Sequence, residues 1–292
     1  MWNGSGTPFG ENMTAPRSFQ EENRRWWNKQ PMTYDWHSTL RAAEGSEAFF
    51  QEIDRRFIQD HPFAHVPGSP PFSNLIPYKQ LRRKRVLEVG CGAGTLTSEF
   101  ARQGAVTCAV DLSDRAIALT KTRFSRSGLR GHIIHGDGER LPFRDGTMDY
   151  VWSWGVLHHT ENTGEAVREI YRVLRPGGRI GIMLYHKNSF RYWVHLLLLR
   201  GILQGKLLTL SVQDLVTRYT DGAVAKHYTR RQAKKLFPGF RSIRTRLFGL
   251  KSELLPIPDS HAKNTLLRLV PNSLAQYALS RMGWFLFIEA EK

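Results

Sequence analysis

The sequence predicts an α/β protein, a doubly wound and mostly parallel sheet with helices on both faces and helical additions around it. Three observations predict this. From Lys84 to Tyr185, short apolar runs with strand character alternate with stretches of helical spacing. The run Arg85-Val86-Leu87-Glu88-Val89 leads into Gly90-Cys91-Gly92-Ala93-Gly94, and Leu96, Phe100 and Ala101 then fall at helical spacing. Acidic residues close successive apolar runs, as at Asp111 and Asp137. Ligands in open sheets of this kind bind beyond the carboxyl ends of the strands.

The elements follow in order. Residues 1–17 are rich in Gly, Pro, Asn, Ser and Thr and predict a flexible arm. Ser18 to Asn28 predicts a helix carrying Phe19, Trp26 and Trp27, and Pro31 to Trp36 an aromatic turn. Ser46 is placed to cap a helix running to Asp60, with Phe49, Ile53 and Phe57 on one face. His61 to Pro77 holds five prolines and reads as a connector. The first strand then precedes a helix over Thr95 to Gln103. The second strand runs from Val106 to Asp111, and Ser113 caps the helix after it. Strand three is His132 to His135 and strand four Asp149 to Trp154. Thr163 to Leu174 is a helix, stopped by Pro176-Gly177-Gly178, and strand five is Arg179 to Tyr185.

Beyond it, 188–237 shows no strong strand. Phe190 to Leu199 predicts an apolar helix, and Thr229 starts another to Phe237. Phe240 to Leu250 and Trp284 to Ala290 read as strands. Between them lies an insertion, 252–283, with a helix near Leu274 to Arg281.

The glycine loop is not a dinucleotide fingerprint. Thr95 stands where the third glycine of that motif belongs, and Glu88 precedes the first by two residues. A carboxylate there suits a cationic ligand better than a pyrophosphate. S-adenosylmethionine, with a sulfonium and an ammonium and no phosphate, meets that condition. Asp111 at the tip of strand two is placed to accept from both hydroxyls of a ribose. Asp137 is placed to accept from an adenine amino group, or serves only as a turn residue.

In order and spacing, five segments resemble the class I S-adenosylmethionine-dependent methyltransferases, the group that includes the ubiquinone and menaquinone biosynthesis methyltransferases. They are Glu88-x-Gly90-x-Gly92-x-Gly94, Asp111, Gly136-Asp137-Gly138-Glu139-x-Leu141-Pro142-Phe143, Met148-Asp149-Tyr150-Val151 and Val173-Leu174-Arg175-Pro176-Gly177-Gly178. The resemblance covers residues 84–186 and leaves the flanks unmatched. It implies a seven-stranded sheet of order 3-2-1-4-5-7-6, its last two strands an antiparallel hairpin. It implies S-adenosylmethionine as cofactor, held by Glu88, Gly90, Cys91, Gly92, Gly94, Asp111, Leu112, Asp137, Gly138 and Trp154. By the same resemblance, residues 1–80 form the arm and a helical lid. Residues 81–292 form the methyltransferase domain, with cap segments 188–228 and 252–283.

Methyl transfer from a sulfonium is an in-line displacement in which alignment and exclusion of water carry most of the catalysis. A base helps where the nucleophile is a hydroxyl or an acidic carbon. His158, His159 and His186 are the candidates, at the ends of strands four and five. The Asn/Asp-Pro-Pro-Tyr motif of amide and adenine methylation is absent after strand four. That argues against an exocyclic nitrogen, and size and the apolar cap argue for a small, hydrophobic acceptor, quinone-, lipid- or natural-product-like, methylated on carbon or oxygen.

Composition leaves other partners open. The 292 residues include 42 basic and 26 acidic ones, a formal charge of +16, which fits an anionic partner or simply a solvated face. Nucleic acid stays an alternative, as does a protein substrate, and so does a non-catalytic cofactor-binding role. The leucine-rich segment Tyr192 to Leu203, flanked by Arg191, Arg200 and Lys206, fits peripheral membrane contact, a greasy pocket wall or plain core. Cys91 and Cys108 form no disulfide framework, no cluster has zinc spacing, and no signal pattern opens the chain. A cytoplasmic protein without a metal is the expectation.

Overall fold

The computed structural model describes residues 19–34, 39–257 and 260–292. The expected arm, residues 1–17, and Trp36 of the aromatic turn lie outside them. The sheet is laid down by Arg85–Val89 (β1), Val106–Asp111 (β2), His132–His135 (β3), Met148–Trp154 (β4), Leu174–His186 (β5), His227–Tyr228 (β6), Arg241–Phe248 (β7) and Phe285–Glu291 (β8). Its order is β3-β2-β1-β4-β5-β8-β7, with β6 beside the end of β5. The pairs among β1 to β6 are parallel, and β8 runs antiparallel to both β5 and β7. The expected seven strands thus become eight. The addition is the two-residue β6, too short to leave a period-2 pattern.

Helices Thr95–Arg102 (α4), Asp114–Arg126 (α5) and Thr163–Val173 (α6) lie between the parallel strands. Ser113 caps α5 through the Ala116 N–H, and Asn162 caps α6 through the Glu165 N–H. The β5 start differs from expectation. The helix ends at Val173, ahead of Pro176-Gly177-Gly178, because Leu174 already turns to extended backbone (φ −70°, ψ 137°). Met148 pairs with Leu174 but Tyr150 with Arg179, so the Pro-Gly-Gly stretch is a bulge inside β5 and not a stop before it.

The segment ahead of β1 contributes Phe19–Lys29 (α1), Glu47–Asp60 (α2) and the single turn Tyr78–Leu81 (α3). Ser46 caps α2 as expected, its hydroxyl accepting from the Phe49 N–H. Phe57, Ala64, Phe72 and Leu75 bury themselves in one cluster with Val86, Trp152, Met183 and Phe287 of the sheet. At the usual 1.5–3 kcal/mol or so per buried large apolar side chain, that packing fixes the segment over one face of the sheet.

After β5 the chain forms a π-helix, Arg191–Leu203, closed by the Gln204 N–H donating to the Leu199 carbonyl five residues back. Val212–Arg218 (α7), Arg230–Lys235 (α8), His261–Leu269 (α9) and Asn272–Met282 (α10) complete the chain. Of the insertion, α10 is the helix expected near Leu274, whereas α9 carries too few apolar residues in sequence to be expected. Thr229 caps α8 in a reciprocal capping box with Gln232. Among the described residues no helix is long and apolar enough to cross a membrane.

Candidate functional site

The carboxyl ends of β1, β2 and β4 open into a cavity of about 590 Å³. That volume lies within the range of small-molecule sites. Its rim is built locally. Gly90 takes φ +80°, and a Cβ there would sit 2.1 Å from Val156 Cγ2, so only glycine allows the β1 end and the β4 loop to approach. Around Gly92 nothing lies within 4 Å of a Cβ position, which leaves bare backbone facing the cavity.

Buttresses behind the loop hold it open. The Thr120 hydroxyl donates to the Gly92 carbonyl (2.9 Å), and Arg123 Nε donates to the Ala93 carbonyl (2.7 Å). Arg123 also pairs with Asp54 of α2 at 2.7 Å and stacks over Phe50.

Three acids face this rim. Asp111 Oδ2 accepts from the Gly92 N–H (2.9 Å) and Oδ1 from the Ser113 N–H (2.8 Å), so one carboxylate fixes two loops. Burial raises its pKa. Glu88 is 4% exposed, with the Thr97 hydroxyl donating to it. Burial pushes its carboxyl up to about 8, the Asp111 charge adding to the shift. Asp137 Oδ1 accepts from the Glu139 N–H (2.8 Å). Gly90, Cys91, Leu112, Gly138 and Trp154 line the cavity with them. Cys91 is a thiol rather than a thiolate, since burial raises its pKa far above the ordinary value. Gly94 is not on the cavity wall. Its φ is +78°, and a Cβ would meet the Thr120 side chain at 2.9 Å, so it seats the loop on α5.

The three histidines separate. His158 is fully buried against the Tyr185 ring, 3.8 Å between centroids, and off the cavity wall. His186 is also off the wall, its Nδ1 hydrogen-bonded to the Gly283 carbonyl at 3.1 Å. Both rings point into packing, His158 from the turn Leu157–His159 after β4 and His186 from the end of β5, a distinction that spacing alone does not carry.

His159 does line the cavity. Its Nδ1 lies 2.6 Å from the Val224 carbonyl, which only an N–H can satisfy, so Nε2 carries the lone pair. That Nε2 sits 3.8 Å from Asp221 Oδ2. The Tyr185 hydroxyl donates to the same carboxylate at 2.7 Å. Burial lowers the His159 pKa and the Asp221 charge opposes the shift, so the ring is neutral with a charge partner waiting for its protonated form.

Sequence reading missed Asp221, Tyr185, His61 and Tyr34, all cavity residues. His61 looks reactive and is not. Its Nδ1 binds the Phe57 carbonyl (2.7 Å), its Nε2 accepts from Trp154 Nε1 (3.2 Å), and burial lowers its pKa to about 4. The far wall is aromatic, with Tyr185 tilted against Trp284 at 4.6 Å between centroids and Trp154 stacked 6.0 Å from Phe285. The α1 helix closes one side. Asn23 Nδ2 donates to the His159 carbonyl (3.0 Å), the Trp27 ring meets the His159 ring edge-on, and Arg24 pairs with Asp114 at 2.6 Å. The cluster Arg230, Arg231, Lys234 and Lys235 surrounds a separate shallow depression.

Residues 87–182 match the family described as Methyltransferase domain. That stretch and the proteins similar to it make the chain similar to the S-adenosylmethionine-dependent methyltransferases. It is 28% identical over 148 residues to the ubiquinone biosynthesis O-methyltransferase of Aromatoleum aromaticum, covering 50% of this chain and 62% of that protein. It is 32% identical over 112 residues to the ubiquinone/menaquinone biosynthesis C-methyltransferase UbiE of Idiomarina loihiensis, covering 36% and 44%. The chain thus spans less than two thirds of either relative. Among solved structures it resembles the Haemonchus contortus phosphoethanolamine N-methyltransferase 2 in complex with S-adenosyl-L-methionine. The TM-score is 0.57 at 19% identity, over 95% of this chain and 60% of that one. A methyltransferase of Methanosarcina mazei aligns with a TM-score of 0.52 at 20% identity, over 78% and 99%. Those likenesses are of fold. The donor set fits S-adenosylmethionine, since the carboxyl groups of Glu88, Asp111 and Asp137 and open backbone face the cavity at the glycine loop, while Arg123 behind the loop is engaged by the Ala93 carbonyl and Asp54.

Proposed function

We propose that the protein transfers a methyl group from S-adenosylmethionine to oxygen or carbon of a small, largely apolar acceptor. One observation carries the reading. A single cavity joins the acidic rim at Glu88, Asp111 and Asp137 to a wall of Tyr185, Trp284 and Phe285, with His159 between the two sets in the chain and on the lining.

When bound, the cofactor supplies a methyl group already activated on a sulfonium. The protein's own residues do the rest. Glu88 offers negative charge to the cationic end, Asp111 accepts from ribose hydroxyls, and Asp137 accepts from the adenine. Leu112 and Trp154 supply apolar contact. Asn23 and Trp27 of α1 cover the cleft as a lid and keep water out. The caps, 188–228 and 252–283, wall off the acceptor. As the new bond to the methyl forms, the acceptor's hydroxyl or acidic C–H proton passes to Nε2 of His159, and Asp221 balances the imidazolium.

The basic clusters on α8 and β7 are not part of this lining, which favours a small acceptor over RNA or a protein. The test is labelled methyl transfer to a panel of phenols and enols, run beside single-stranded RNA, with calorimetry of S-adenosylhomocysteine. Turnover on a small acceptor that resists added salt is the expected result. Transfer confined to RNA and collapsing with salt would refute it.

A further inference from the structure

The π-helix turns a helix face into something the sequence alone disguises. In an α-helix, nine residues make about two and a half turns, so Arg191 and Arg200 would point to opposite sides. Wound i→i+5, the same segment advances more than four residues per turn. Arg191, His195, Arg200 and Gln204, spaced by four and five residues, then share one face. All four line the cavity.

Each guanidinium lies over an aromatic ring of the same cavity. Arg191 lies 4.7 Å from the centroid of Trp284, and Arg200 lies 5.1 Å from that of Tyr219. Stacking holds the plane of a guanidinium and leaves its edge, the N–H fork, free to bind. Among the described residues neither Arg191 nor Arg200 is in an ion pair, whereas Arg24, Arg115, Arg123 and Arg172 each meet a carboxylate. Glu253, a carboxyl on the same cavity, is turned to the Leu250 N–H at 2.8 Å. Arg200 reaches only the neutral Gln204 side chain, at 3.3 Å.

We infer that the acceptor carries an oxyanion, a carboxylate or a phosphate, which Arg191 and Arg200 grip from the π-helix wall while the aromatic wall holds its apolar body. This rests on the methyltransferase reading of the cavity and adds a specificity element to it. A planar fork suits an oxyanion in a way that a point charge does not. The arginines then set which end of the acceptor faces His159.

The test uses the full chain loaded with S-adenosylhomocysteine and titrated calorimetrically. The probes are hydroxyphenylbutanoate, its methyl ester and hydroxyphenylbutyl phosphate. At least one anion should bind about tenfold or more tighter than the ester, and which one does so identifies the oxyanion. Arg191→Gln and Arg200→Gln should each erase that preference while the ester affinity and the S-adenosylhomocysteine affinity hold. Arg191→Lys keeps charge without the fork and should lose part of it. An ester that binds as tightly as both anions overturns the inference. So does an equal loss of ester and anion in all three variants, which would make the arginines mere packing. If S-adenosylhomocysteine itself does not bind, the methyltransferase reading fails instead, and the same probes on the unloaded chain still measure the anion preference.

Discussion

The two halves of the cavity are built by opposite means. The rim proposed for the cofactor is local: Glu88 to Ala93 is one strand end and its loop, Asp111 ends β2, and Asp137 lies two residues past β3. The wall proposed for the acceptor is assembled from afar. His159 follows β4, Asp221 lies beyond α7, Arg191 opens the π-helix, and Trp284 precedes β8. A rim fixed by backbone geometry tolerates few residue types, whereas a wall of side chains on separate segments is free to change acceptor without disturbing the sheet. Substitutions in the two halves should therefore fail differently.

The largest effect is expected at the rim. Gly90→Val places a branched side chain where a Cβ already meets Val156 Cγ2 at 2.1 Å, on backbone at φ +80°. S-adenosylhomocysteine binding should become unmeasurable by calorimetry, with a melting temperature several degrees lower. Near-normal binding would show that the rim is softer than this geometry states. On the wall, His159→Gln should lower kcat by about 10²–10⁴-fold and leave S-adenosylhomocysteine affinity intact. The wild-type rate should fall on acidification with a midpoint below the ordinary 6.5, because burial lowers the His159 pKa. Asp221 raises that pKa, so Asp221→Asn should move the acid limb lower still, and His159→Gln should remove it. An acid limb that stays put in both variants assigns it to another group.

The same contrast explains what the sequence discloses. The sheet, its five parallel strands and the caps at Ser46, Ser113 and Thr229 follow from local apolar period and local polar residues. The acidic rim is equally local. His158 and His186 look as available as His159 in sequence, yet packing buries the first against Tyr185 and the second against Gly283. Asp221 carries no local signal, since its meaning comes from Tyr185 and His159 across the cavity. The π-helix is hidden for a further reason: its leucines satisfy an α-helical pattern equally well, and only the winding brings Arg191 and Arg200 into line.

A milder rim substitution separates binding from turnover. Asp111→Asn keeps one accepting oxygen and replaces the other with a donor facing an N–H, at Gly92 or Ser113. Affinity for S-adenosylhomocysteine should drop about 10–100-fold, equivalent to roughly 1.4–2.8 kcal/mol, with kcat at saturating cofactor within a few-fold of wild type. A fall in kcat without a fall in affinity would place Asp111 in the acceptor half.

The smallest expected effect lies in protons rather than rates. Glu88 titrates near 8 in the ligand-free protein, against 4.5 for an ordinary glutamate, because burial disfavours its charge. A cation arriving beside it reverses that preference, so S-adenosylmethionine binding near neutral pH should release a proton. Affinity should then rise with pH up to about 8 and level off. Calorimetry in buffers of different ionisation enthalpy measures the release directly, and Glu88→Gln should abolish it. Stability follows the same sign. A carboxyl whose folded pKa lies above its unfolded value stabilises the protein fully below about 4.5 and loses that contribution as pH rises through about 8. The Glu88→Gln protein should therefore gain melting temperature over wild type at alkaline pH and not at acid pH. S-adenosylmethionine affinity that is flat across neutral pH would mean that Glu88 keeps one protonation state throughout, and that the cationic end of the cofactor is neutralised by another carboxylate of the rim.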